Sequence, residues 1–100
     1  MIDGTYQITL RLPDACHDGA VVLSASGNTV DAHFIVNEVG GLRAKGTHEG
    51  DSFLLRGAVN LYQFGRVTYH IDGLVAGDML KATCATDRGT FDIAGTRAAR

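Results

Sequence analysis

Thirteen glycines stand against a single proline in this 100-residue chain, at intervals too short for a long helix to fit between them. The runs they separate are rich in Val, Ile, Thr, Tyr and Phe, and alternate apolar with polar residues, the period-two pattern of a half-buried strand. Three tripeptides, Ser26-Gly27-Asn28, Glu49-Gly50-Asp51 and Ala76-Gly77-Asp78, carry tight-turn chemistry, because Gly and Asn or Asp tolerate the positive φ that two-residue hairpin loops demand. A second series, Gly19, Gly41, Gly65 and Gly89, opens the strand before each turn, or the last strand, and recurs every 22 to 24 residues. That spacing is a two-strand repeat. One stretch, Ala32, Ile35, Val36 and Val39, has helical spacing. It also alternates as Val30, Ala32, Phe34 and Val36, and its β-branched residues favour a strand.

The alternation predicts strands over 4–12, 20–25, 29–36, 42–48, 53–60, 66–75, 79–86 and 90–97. One face of each is apolar: Tyr6, Ile8, Leu10 and Leu12; Val30, Ala32, Phe34 and Val36; Phe53, Leu55 and Val59; Val67, Tyr69, Ile71 and Val75; Leu80, Ala82 and Cys84; Phe91 and Ile93. Three hairpins are complete, and the first and last strands read as separated halves of a fourth, so the chain ends should meet. Closure removes the exposed edges of an eight-strand meander. The expected fold is therefore all-β, an up-and-down antiparallel barrel of about eight strands, forming a single domain over residues 1–100. An open sheet, or half-barrels completed by dimerisation, is the alternative the residues leave open.

Composition narrows the function classes. Eleven Asp and Glu are scattered among nine Lys and Arg, for a net charge of −2, so no nucleic-acid partner is expected. The longest apolar run, Ala20-Val21-Val22-Leu23, is far shorter than the roughly 20 residues of a membrane-spanning helix, and no membrane partner is expected. The N-terminus enters strand-like sequence at once, without a signal-peptide pattern, which suggests a cytoplasmic chain. Cys16 and Cys84 read as free thiols, Cys16 ahead of a turn and Cys84 within a strand. Four histidines and two distant cysteines give no metal-ligand spacing, and no phosphate loop, nucleophile elbow or calcium loop occurs, so neither a metal nor a cofactor is expected.

Small inward residues, Ala32, Ala44, Gly57, Ala82 and Gly95, lie beside large aromatic ones. An eight-stranded barrel is just wide enough to be filled by side chains or to hold one small ligand. Tyr6, Phe34, His48, Phe53, Tyr69 and Phe91 are the candidate cavity residues, His48 turning inward at a rim. His70 with Asp72, and Asp31 with His33, fall on the solvated outer parity and are given no catalytic role. Leu61-Tyr62-Gln63-Phe64 sets large apolar residues in a connection, and Leu61, Tyr62 and Phe64 are candidate partner contacts. Outward Ile35, Leu54, Leu74 and Met79 are consistent with a homodimer.

The opening Asp3-Gly4-Thr5-Tyr6-Gln7-Ile8, followed by Gly19-Ala20-Val21-Val22-Leu23 and the Gly27 turn, resembles the start of the GrlR family of small regulators of type III secretion. The match covers roughly the first third of the chain. It implies a calycin- or lipocalin-like barrel, dimers and binding of a regulatory protein. The family's acidic stretch of alternating Glu and Asp has no counterpart here, the nearest run being the Glu49-Gly50-Asp51 turn. Taken together, the expectation is a noncatalytic binding module, a dimeric regulator that takes a protein partner or a small apolar ligand. The alternative is a small barrel enzyme acting on a hydrophobic substrate, with His48 as its acid-base group.

Overall fold

The computed structural model describes residues 2–12, 15–37, 40–61, 65–87 and 89–98. Eight strands, β1 (Gly4–Arg11), β2 (Cys16–Ser26), β3 (Thr29–Val36), β4 (Gly40–Glu49), β5 (Ser52–Leu61), β6 (Gly65–Ala76), β7 (Met79–Thr86) and β8 (Gly89–Arg97), pair in sequence order. β8 returns antiparallel to β1, and one chain closes the barrel by itself.

The turns form as their residues require. Ser26↔Thr29, Glu49↔Ser52 and Ala76↔Met79 are the last pairs of three hairpins, each closed by a two-residue loop. Gly27, Gly50 and Gly77 take φ of 62°, 60° and 61°, and a Cβ there would meet nothing within 4 Å. Backbone conformation, not space, is what selects glycine at these three sites. Two loops are tied further by the residue that ends them: Thr29 Oγ1 donates to the Ser26 carbonyl (2.8 Å) and Ser52 Oγ to that of Glu49 (3.0 Å).

At this turn end the two-strand repeat is written in hydrogen bonds. The carbonyl of each loop's second residue accepts an N–H from the strand two further on: His48 to Asn28 (3.0 Å), Val75 to Asp51 (2.9 Å) and Arg97 to Asp78 (2.7 Å). The fourth place, where the chain ends leave no loop, is taken by a side chain, with Ala25 N–H donating to Asp3 Oδ2 (2.9 Å). Arg97 completes the closure. Its guanidinium donates to the Asp3 carbonyl (2.5 Å), pairs with Asp78 Oδ1 (3.4 Å) and lies 4.9 Å over the Tyr6 ring. The terminal strands thus behave as the halves of a fourth hairpin.

Inward residues form one apolar core. Ala44 is buried as expected, and to the expected faces the structure adds Ile2, Val21 and Leu23, all buried. Tyr6 is fully buried, its hydroxyl donating to the Ile2 carbonyl (2.8 Å), so the one polar atom it takes inside has a partner. Two rings lie across inward glycines on the facing strand: Phe53 over Gly73 and Tyr69 over Gly57, with no room for a Cβ beneath either. Covering a strand glycine with an aromatic ring lets the sheet curve tightly without leaving backbone bare. The outer wall carries exposed Thr5, Gln7, Arg11, Asp31, Arg43, Lys45, Arg56, Asp72, Lys81 and Asp92.

Some boundaries differ from expectation. β2 begins at Cys16, four residues early, because Cys16–Asp18 pair with Arg11–Thr9 although the alternation there is weak. Cys16 is therefore an exposed strand residue and does not precede a turn. Of the expected strand-opening glycines, Gly65 and Gly89 open theirs. Gly40, not Gly41, opens β4 with positive φ, and Gly19 lies inside β2 against the Val36 Cα.

Candidate functional site

The connections after β1, β3, β5 and β7 lie at the opposite end of the barrel from the tight turns. There the described residues leave interior space. A cavity of about 150 Å³ enters between Leu10, Phe34, Val36, Leu42, Val59, Val67, Tyr69, Ile71, Cys84, Phe91 and Ile93, with Gly40, Gly41 and Thr86 at its edge. Among the described residues no charged side chain lines it.

Register explains why the space is there. β5 and β6 pair along their whole length, from Ser52↔Leu74 to Leu61↔Gly65, whereas β6 and β7 stop at Tyr69↔Thr86. On the other flank β4 and β5 pair only from Glu49↔Ser52 to Lys45↔Arg56, five residues on each strand. Beyond that rung, Gly40–Ala44 and Gly57–Leu61 are not paired with each other. The outer half of the β5–β6 hairpin therefore stands as a two-stranded ribbon, with Val59 and Val67 lining the cavity, and beside it the β4–β5 ladder is incomplete, a seam in the hydrogen bonding of the wall. From β4, Gly40 and Gly41 line the cavity beside Leu42, and the two glycines add no side-chain volume there.

The cavity's polar complement is small and uncharged. Cys84, 4% exposed, has its thiol pushed up to about 11 by burial, so it is a neutral, weakly nucleophilic group at neutral pH. Tyr69 is raised from its ordinary value, chiefly by burial and further by the neighbouring Cys84. Thr86 turns its hydroxyl to the Gly89 carbonyl (2.7 Å). At the floor, Tyr6 is also raised by burial, with Arg97 opposing the shift.

Of the six expected cavity residues, the structure brings Phe34, Tyr69 and Phe91 together around this space. Tyr6 and Phe53 do not line it; they pack the turn end. His48 is corrected as a rim residue of the cavity: its ring lies between two turns, Nε2 2.8 Å from the Gly27 carbonyl and Nδ1 3.4 Å from that of Gly50. Beside it a shallow polar cleft on the outer wall runs past Asn28, Thr47, Glu49 and Asp72. His70 lies opposite Arg56, and His33 opposite Arg43, both on the outer face. Among the expected partner contacts, Tyr62 and Phe64 lie outside the described residues, and Leu61 ends β5 opposite Gly65.

Two contributions were missed in the sequence. Leu42, within the expected strand but not named as a cavity residue, lines the cavity with Gly41 and with Gly40, which lies ahead of the expected strand start. His17 was read as loop, yet it pairs with Leu10 in β2, and its Nδ1 is buried with no partner among the described residues. Stepping back in twos from Leu23 and Val21 reaches Gly19 and His17, and that parity was the available signal.

No family model and no curated protein matches the chain. Solved structures do. It is similar to a redesigned β-barrel, mFAP0, bound to DFHBI, at 17% identity and a TM-score of 0.70, over 96% of this chain and 98% of that one. A second redesigned barrel, b11L5F_LGL, matches at 17% identity and 0.67, over 98% and 92%. A putative outer membrane protein of Bacteroides fragilis NCTC 9343 matches at 13% identity and 0.60, over 97% of this chain but 51% of its own length. At such identities the likeness is one of fold, and the fold is a closed, eight-stranded antiparallel β-barrel with no helix among the described residues.

Proposed function

We propose that this protein is a noncatalytic binding module that holds a small apolar group in the open end of its barrel. The cavity between Phe34, Tyr69 and Phe91 carries the reading. Its roughly 150 Å³ matches an apolar cavity size that takes up benzene, and its described walls are almost wholly apolar. Lipocalin-like barrels use the same place, and the similar barrel mFAP0 is a structure bound to DFHBI. The wall polarity supports an aqueous setting: membrane-spanning barrels turn apolar residues outward, and here Arg11, Arg43, Lys45, Arg56, Lys81 and Asp92 face out. The test is a benzene titration followed by NMR. Shifts are expected at Phe34, Val59 and Cys84, and Cys84→Leu, which places more carbon in the cavity, is expected to abolish them. A wild-type protein whose cavity signals stay still under saturating benzene would end the proposal.

A second reading, a dimeric regulator contacting another protein, draws on the outer wall. Leu74 (51%) and Met79 (49%) are exposed near Leu54 on β5–β7, and Ile35 (52%) near Val22 on β2–β3. The resemblance of the first third to GrlR-like regulators points the same way. Sedimentation at micromolar concentration tests it, with a twofold mass expected.

A further inference from the structure

We infer that the ligand is an amphiphile with an anionic head, its apolar part in the cavity and its head outside the β4–β5 seam against Arg43, Lys45 and Arg56. This rests on the binding reading above and adds the ligand's charge and its route.

The seam begins where the β4–β5 ladder ends, and that last rung is Lys45↔Arg56. Two cations face each other directly across an antiparallel pair, an arrangement that is unfavourable without a counter-charge. Arg43, two residues along on the same outer face of β4, adds a third, and all three are exposed. None makes an ion pair within 4 Å among the described residues. Asp31 lies opposite Lys45 on β3 and beside Arg43 along the same groove, while the residues directly opposite the two arginines are His33 and His70, so one carboxylate faces three cations there. In a chain of net charge −2, three cations gathered at one opening form a local anion site.

The unpaired strand edges adjoin the cavity. Gly41 and Leu42 on β4 and Val59 on β5 border both the seam and the cavity, so one molecule can occupy both. A free inorganic anion would use the cations and ignore the apolar walls. A neutral hydrocarbon would do the reverse. Carboxylate, phosphate or sulfate heads share the chemistry that satisfies the rim. About six carbons fill a cavity of this size, so a chain a little longer reaches from floor to rim.

The experiment titrates octanoate, octanol and acetate into the protein at low salt, following NMR signals of Leu42, Val59 and Phe91 inside and of Arg43 and Arg56 at the rim. Octanoate is expected to shift both sets and to bind about tenfold more tightly than octanol, as two exposed charge contacts would give. The Arg43→Gln/Arg56→Gln variant is expected to lower octanoate to the octanol level while octanol binding, which reports an intact cavity, stays unchanged. Octyl sulfate and octyl phosphate distinguish head-group sources, and either retaining the advantage supports the shared chemistry. Equal binding of octanol and octanoate overturns the charged head and leaves the cavity reading standing. Rim shifts alone, seen equally with acetate, overturn the amphiphile in favour of a simple anion surface. Displacement of neither set by any chain overturns both readings.

Discussion

The two ends of the barrel are made from the same strands but held in opposite ways. At the turn end, tight loops, the cross-hairpin hydrogen bonds to Asn28, Asp51 and Asp78, and the Asp3 substitute lock four hairpins into a ring over Ile2, Tyr6 and Phe53. At the other end the register runs out unevenly, a ribbon overhangs, and Phe34, Tyr69 and Phe91 surround space. A protein interior normally packs to crystal-like density. Packing one end and leaving space among the described residues of the other sets the part that holds the fold together apart from the part that does not.

The largest effect expected from this contrast compares two identical truncations. Phe53→Ala removes a ring that packs the floor and covers Gly73, and is expected to cost about 3–5 kcal/mol. Phe91→Ala removes a partly buried ring that already borders empty volume, and about 1–2 kcal/mol is expected, since lost contacts are fewer. Urea unfolding measures both. Equal costs would mean that the mouth is as tightly packed as the floor.

The two incomplete seams offer a second, smaller comparison. β1 and β8 pair only over Tyr6–Arg11 and Arg97–Asp92, yet Arg97 joins them through the Asp3 carbonyl, Asp78 and the Tyr6 ring. β4 and β5 have a similarly short register and end in like charges instead. Arg97→Ala is expected to destabilise by about 1–2 kcal/mol, because a partly buried charged hydrogen bond and a ring contact go together. Amide exchange at Gln7 and Thr96 should rise in parallel. If it rises equally at Lys45 and Arg56, the clasp is not local to its seam.

The fold was legible because its grammar is local. Alternation named the apolar inner face of six strands, and Gly27, Gly50 and Gly77 marked hairpins whose backbone conformation only a few residues adopt. The shared closure of β1 on β8 followed from the spacing of those turns. What distinguishes floor from mouth was not legible, since Tyr6, Phe53 and Phe91 share one parity and one chemistry. Their separation depends on register, which sets where β4–β5 stops at Lys45↔Arg56, and register is a pairing between strands that no single strand records. His48 illustrates the same limit. Its parity was read as inward, but the partner that determines its place, the Gly27 carbonyl, lies 21 residues away.

The smallest effect concerns how dry the mouth is. Cys84 has a folded pKa of about 11 against 9.0 for an ordinary thiol, with burial as the cause. Below pH 9 both folded and unfolded chains keep the proton, and the thiol's contribution to stability is fully present. As pH rises from 9 towards 11 the unfolded chain loses its proton first, so folding becomes progressively less favourable. About 0.5–1 kcal/mol should be lost by pH 10, allowing for the solvent that reaches this end. Cys84→Val replaces the thiol with a slightly larger apolar side chain and removes the titration, so its stability should fall less over the same interval. Tyr6 and Tyr69, raised by the same cause, remain in both proteins and cancel in the difference. A wild-type curve parallel to that of Cys84→Val would mean that water fills the cavity and hydrates the thiolate. In that case an apolar guest would have to displace ordered water, not enter dry space, and the contrast between a sealed floor and an open, apolar mouth would be one of solvent as well as packing.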